Sequence, residues 1–201
     1  MNDLELINRI LDGDRMGFNQ LIRKWEKQIY NFVFRYLGNR EAALDVTQKT
    51  FLNTYRNISK LKNPARFSSW IYQIASNLCR DEIGRMKKRD VVSLDDIHES
   101  NEKKGIDLPA QFMDSVKKQP DARLNSKQIE TIVKHALQEL PEELRIIVIM
   151  KEYQGLKFSE IAEVLNEPVS TIKSRMYKSL VSLREIFEKQ HITKEVLNDE
   201  L

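Results

Sequence analysis

One cysteine, five prolines and six glycines are all that 201 residues hold of the types that staple or punctuate a chain. The lone Cys79 excludes an intramolecular disulfide and a cysteine-rich zinc site. His98, His135 and His191 lie far apart in sequence, and none has a neighbour at ligand spacing, so no metal is expected. There is no glycine-rich phosphate loop and no nucleophile with a base at readable spacing. An enzyme, a cofactor and a small-molecule substrate are therefore not expected, and no catalytic residue is assigned. No apolar run is long enough for a membrane span, and the first residues do not resemble a signal peptide, which makes the cytoplasm the expected location. So few turn residues disfavour a many-stranded fold and favour helices with short connections.

The net charge of +3 is too small to imply nucleic acid, but its distribution is uneven. Residues 142–167 carry six acids and three bases, a local −3; residues 169–184 carry four bases and no acid, a local +4. A change of sign between adjacent helices suits a one-sided footprint on DNA.

Apolar residues at Phe18, Leu21, Ile22, Trp25, Ile29, Phe32, Val33 and Tyr36 step by threes and fours, which predicts an amphipathic helix ending at Gly38-Asn39. A shorter helix is expected before it, over about residues 3–12. Two more follow: Arg40 to Asn57, and, after a polar loop containing Asn63-Pro64, Phe67 to about Lys88. Residues 93–124 hold seven acids, five bases, Gly105, Pro109 and Pro120 with no sustained period, and read as a flexible linker. Helical pattern returns at about Asn125, with Pro141, Glu142 and Glu143 opening a new helix. The expectation is an all-α chain: a domain over 1–92, a linker over 93–124, a four-helix domain over 125–190 and a tail over 191–201.

Within the second domain, Phe158 to Leu165, a turn at Asn166-Glu167-Pro168, and a helix from Val169 onward form a helix-turn-helix pattern of the kind seen in HTH and winged-helix-like domains. Ser159 is expected to cap the first helix and Ser170 or Thr171 the second. Ile161, Ala162 and Leu165 line the inner side of the first, and Val169, Ile172, Met176, Leu180, Leu183 and Phe187 that of the second. Counting about 100° per residue from Ile172, Lys173, Ser174, Tyr177 and Lys178 fall on the outward side near the helix N-terminus. A recognition helix presents its base-reading side chains there. Lysines meet phosphates or guanine acceptors, serine a base edge or phosphate, and tyrosine a thymine methyl or a sugar.

The first domain carries two less usual faces. Asp45, Gln48 and Lys49 cluster near Leu44, Leu52 and Tyr55 on one helix. On the next, Trp70, Asn77 and Arg80 precede a basic run through Arg89, with five bases and two acids over 80–89. Aromatic, amide and basic groups on one helix suit a surface that grips a strand and receives an unstacked base. Taken alone, each face also admits a plainer reading, a solvated helix side or a core tryptophan. A two-domain helix-turn-helix regulator acting by itself stays open on these residues.

Four motifs in order narrow the choice: Asp45-x-x-Gln48-x-x-Phe51; Phe67-Ser68-Ser69-Trp70-Ile71-Tyr72-Gln73-Ile74-Ala75-x-Asn77; Leu140-Pro141-Glu142-Glu143-Leu144-Arg145; and the helix-turn-helix. Over roughly residues 4–188 the chain resembles an extracytoplasmic-function (ECF) sigma factor of the sigma-70 family. The resemblance implies transcription initiation with core RNA polymerase and promoter DNA as partners, and leaves room for an anti-sigma factor. It implies contact of Leu44, Asp45, Gln48, Phe51 and Tyr55 with the clamp helices of the polymerase largest subunit. It places residues 60–66, with Lys60, Lys62, Asn63 and Arg66, at the loop that captures a flipped −10 base, and Trp70, Asn77 and the nearby Arg80 beside that element. Ser170, Thr171, Lys173, Ser174, Tyr177 and Lys178 match the −35 readers, and the second domain would touch the polymerase flap. Lys49 stands where the family often has Glu, and Gln73 where Arg is frequent.

Overall fold

The computed structural model describes residues 2–95 and 126–189, so the expected tail and all but the first three residues of the expected linker lie outside the described residues. The order of elements is α1 (Asp3–Leu11), α2 (Arg15–Leu37), α3 (Arg40–Asn57), 3-10 turns at Ile58–Lys60 and Pro64–Arg66, and α4 (Phe67–Asp95), then α5 (Ser126–Glu139) and α6 (Glu142–Val148). A π-helical turn (Ile149–Tyr153) continues α6, and α7 (Phe158–Leu165) and α8 (Val169–Lys189) follow. Among the described residues there is no strand, so the helix-turn-helix of α7 and α8 carries no wing there.

Short polar side chains set the starts of the helices by accepting from otherwise orphaned amides. Asn2 accepts from the Glu5 N–H at 2.8 Å while the Asn2 N–H donates to the Glu5 carboxylate at 3.1 Å, a reciprocal box. Asp14 does the same for Met16 (2.8 Å) and Asn39 for Ala42 (2.9 Å). Gly38 and Asn39 thus divide the work at one corner: Gly38, at φ 72°, ends α2 and Asn39 begins α3. The helix α4 runs seven residues past the expected end at Lys88, through Asp95. No glycine or proline stands between Arg85 and Gly105 to stop it.

The aromatic side chains join α2 to α4. Trp25 meets Phe67 and Tyr72 edge-on at 5.5 and 6.0 Å, and Phe32 meets Tyr72 at 5.3 Å. On the other side of the molecule, Ile147, Ile149 and Met150 of α6 and its π turn are fully buried. The buried side chains of the two halves form one continuous cluster, with α7 packed on α4 and α5 on α2. Sequence patterning within each half carries no information about that docking.

Gly38 lies on the seam. A Cβ there would stand 2.9 Å from the side chain of Gln138, whose amide donates to the Arg35 carbonyl at 2.7 Å. Gly38→Ala should therefore lower stability by about 1–2 kcal/mol from the left-handed backbone alone, read from the urea midpoint. A midpoint equal to that of the parent would contradict this corner.

Candidate nucleic-acid interface

The turn between α7 and α8 is built from backbone geometry. Asn166 adopts φ 54°, and the Glu167 N–H returns to the Ala162 carbonyl at 3.0 Å, closing α7. The start of α7 differs from expectation. Its cap is at Lys157, whose N–H donates to the Glu160 carboxylate at 2.6 Å, and Ser159 lies inside the first turn. Likewise α8 begins at Val169, directly after Pro168, so Ser170 and Thr171 are first-turn residues and not caps. On α7 the buried residues are Ile161, Ala162 and Val164; Leu165, expected inside, is half-buried.

The inner side of α8 also needs correcting. Ile172, Met176 and Ser179 are buried, whereas Leu180 is 52% exposed, Val169 is on the surface and Phe187 is half-buried. Counted from Ile172, Ser179 falls at about 340° and Leu180 at about 80°, so the serine is nearer the core axis. Its buried hydroxyl is satisfied, donating to the Arg175 carbonyl at 2.7 Å with the Leu144 carbonyl at 3.3 Å. Arg175 fixes the orientation of α8 from the side, with its guanidinium 3.1 Å from Glu167 and 3.7 Å from Glu143. Helical periodicity does not single out Arg175; its ion-pair partners in space do.

Above this base, Ser170, Lys173, Ser174, Tyr177 and Lys178 are exposed and Thr171 is half-buried, forming one face. Tyr177 is 72% exposed, far more than an unoccupied surface asks of a tyrosine.

In the N-terminal half, Arg66, Trp70, Gln73, Asn77 and Arg80 follow one another by steps of four, three, four and three, a stripe about 80° wide along α4 and its leading turn. Arg66, Asn77 and Arg80 are exposed, while Trp70 is half-buried with its ring 6.1 Å from that of Phe67. Lys60, Lys62 and Asn63 are exposed on the adjoining turns, where Lys60 donates to Asn57 at 2.9 Å. Asn63 is partly committed, its side-chain oxygen accepting from the Ala65 N–H at 3.1 Å.

The outer side of α3 exposes Leu44, Leu52 and Tyr55 about half-way each, together with Asp45 and Gln48. Three large apolar groups left open on one helix mark an interaction surface better than a solvated side. Lys49 pairs with Asp45 across one helical turn, so the charge of that carboxylate is offset locally. Phe51, expected in the contact, is 8% exposed and belongs to the core, where it carries this face without forming it.

Comparison with known proteins agrees with this arrangement. Residues 21–89 match Sigma-70 region 2 and residues 131–183 match Sigma-70, region 4. The ECF RNA polymerase sigma factor SigW of Bacillus subtilis is 32% identical over 179 residues, covering 89% of this chain and 92% of that protein. The ECF RNA polymerase sigma-E factor of Haemophilus influenzae is 27% identical over 179 residues, with the same two shares. Among solved structures, CnrH in complex with the cytosolic domain of CnrY shares the fold at a TM-score of 0.65 and 17% identity, over 93% of this chain and 97% of that one. The fold, the two matched regions and the near full-length relatives agree: this chain belongs to the ECF RNA polymerase sigma factors of the sigma-70 family.

Proposed function

We propose that this protein binds core RNA polymerase and gives it promoter specificity, with no catalytic step of its own. The α8 face anchors on the −35 duplex through the major groove, lysines to phosphates and Ser174 and Tyr177 toward base edges. The α4 stripe with the Lys60–Arg66 turns takes the unpaired −10 strand, Trp70 offering a stacking surface and Arg66 and Arg80 the phosphate contacts. The open side of α3 docks on the clamp helices of the polymerase, and α5–α8 touch the flap. The place of work is the cytoplasm, and an anti-sigma factor is a further partner, as NepR is for the sigma factor RpoE of Bartonella quintana in their solved complex.

The observation that carries this reading over a stand-alone regulator is the pair of surfaces on α3 and α4. A protein that only binds duplex DNA through α8 has no use for an apolar ridge of Leu44, Leu52 and Tyr55 or for an amide-and-arginine stripe on another domain. Run-off transcription with purified core polymerase, on templates with randomised −35 and −10 segments, tests it. Duplex binding without initiation on any template would leave the regulator reading standing. In a core pull-down, Asp45→Ala with Gln48→Ala should reduce capture at least tenfold while duplex binding by α8 stays unchanged. Equal capture would move the polymerase contact off α3.

A further inference from the structure

Where α2 and α4 meet α6 and the helix-turn-helix, a cleft of about 380 Å³ stays open, within the size range of small-molecule sites. Tyr36 and Ile146, 2% and 3% exposed, form its floor, and Leu165 lines it half-buried. Arg80 and Glu143 are exposed and stand at its mouth. Most charges here are already paired: Glu142 with Lys87 at 2.6 Å, and Arg175 with Glu167 at 3.1 Å. Two are not. Arg80 makes no hydrogen bond or ion pair among the described residues, and Glu143 has only Arg175, at 3.7 Å. The Tyr36 hydroxyl is the third open group. The ring stacks on Phe32 and the Tyr36 carbonyl accepts from Arg145, yet among the described residues the hydroxyl has no partner. Buried hydroxyls are normally bonded, so one left open into a cleft points to a ligand. Burial above all pushes this hydroxyl up to about 12, which keeps it a neutral O–H able to donate.

We propose that this cleft binds a small zwitterion with an apolar body, a free amino acid or dipeptide. Its carboxylate meets Arg80 and accepts from the Tyr36 hydroxyl, its ammonium meets Glu143, and its apolar side chain lies on Ile146 and Leu165. The lining selects this class by charge. A phosphate ester or other dianion would face three carboxylates, Glu142, Glu143 and Glu167, and a polyamine would face two guanidinium groups, Arg80 and Arg175. A ligand with one charge of each sign satisfies the open cation and the open anion together, and the buried hydroxyl gains the partner it lacks. Because Arg80 is also given to the −10 strand, an occupied cleft withholds it from DNA. That consequence rests on the sigma reading; the binding itself does not.

The test titrates the full chain with L-leucine and with L-leucyl-L-leucine, by calorimetry and ligand-observed NMR. At least one should bind saturably, with a Kd of about 1 mM or tighter. The N-acetyl form of the better ligand, which lacks the ammonium, and its amide, which lacks the carboxylate, should each bind about tenfold or more weaker. Arg80→Gln should weaken binding by about the same factor. Tyr36→Phe should weaken it at least threefold with an unchanged urea midpoint, because the hydroxyl removed has no partner in the protein. Glu185→Gln, exposed on α8 and outside the lining, should bind as the parent does. Saturable binding by neither ligand overturns the proposal, as does parental affinity in Arg80→Gln or Tyr36→Phe, or equal binding of the acetylated or amidated forms. A lower midpoint in Tyr36→Phe also overturns it, since the hydroxyl would then be held by the protein. None of these readouts involves polymerase or promoter, so they judge the cleft whether or not the protein directs initiation.

Discussion

Lys173→Ala together with Lys178→Ala should abolish −35-dependent initiation while leaving capture by core polymerase intact. Both lysines are exposed on the outward side of α8 and make no ion pair among the described residues, so their removal leaves the fold untouched. Each charge-assisted contact is worth about 1.5–3 kcal/mol, so losing two should weaken duplex binding about a hundredfold or more. A second observable separates this from a general loss of structure. If each lysine neutralises one phosphate, the slope of log affinity against log salt should become shallower by about 1.8. Tyr177→Ala should differ in kind: discrimination between promoter sequences falls, and the salt slope stays put. A double variant that keeps the parental slope would mean that these lysines do not touch DNA and that the recognition face lies elsewhere on α8.

Much of this site was legible in sequence because helical periodicity fixes direction. Lys173, Ser174, Tyr177 and Lys178 were placed outward by rotation from Ile172 alone, and the structure exposes all four. What the pattern missed were polar residues acting as core. Ser179 takes the inner position that Leu180 was expected to fill, because angle outranks hydrophobicity when a hydroxyl finds two carbonyls. Phe51 shows the opposite error, since a motif position assigned to a partner is in fact buried. Ser159 and Ser170 are not caps for a local reason: the helices start ahead of them, at Phe158 behind the Lys157–Glu160 contact and at Val169 directly after Pro168. Docking of one half on the other was beyond the reach of pattern reading. It depends on Gln138, Arg145 and Gln154 meeting groups 82 to 109 positions away in the chain, with no period to announce them.

Arg145 should be the costliest single polar residue to lose. Its guanidinium donates to the Tyr36 carbonyl at 2.9 Å, the Gln138 side chain and carbonyl each at 2.7 Å, and the Leu140 carbonyl at 2.9 Å. The first of these is an orphan carbonyl in the last turn of α2, where a cation also meets the negative end of the helix dipole. Burial lowers the pKa of Arg145 from its ordinary value, and the nearby Tyr36 and Glu142 act the other way. Arg145→Ala would strand several part-buried carbonyls at once. Each costs about 1–3 kcal/mol and the costs are not additive, so about 3–5 kcal/mol is expected. With an m-value of about 2 kcal/mol/M, the urea midpoint should fall by about 1.5–2.5 M. Lysine cannot replace a planar fork that serves three carbonyls and an amide, so Arg145→Lys should retain less than half of the loss as recovery. Glu163→Gln makes the contrast, because an exposed ion pair is worth about 1 kcal/mol or less. Since Arg145 bonds to both halves, its removal should also split unfolding into transitions that differ between the tryptophan signal of Trp25 and Trp70, both in the N-terminal half, and a label on α8. A single coincident transition with a midpoint shift below about 0.5 M would show that apolar packing alone joins the halves and that Arg145 only trims the end of α5.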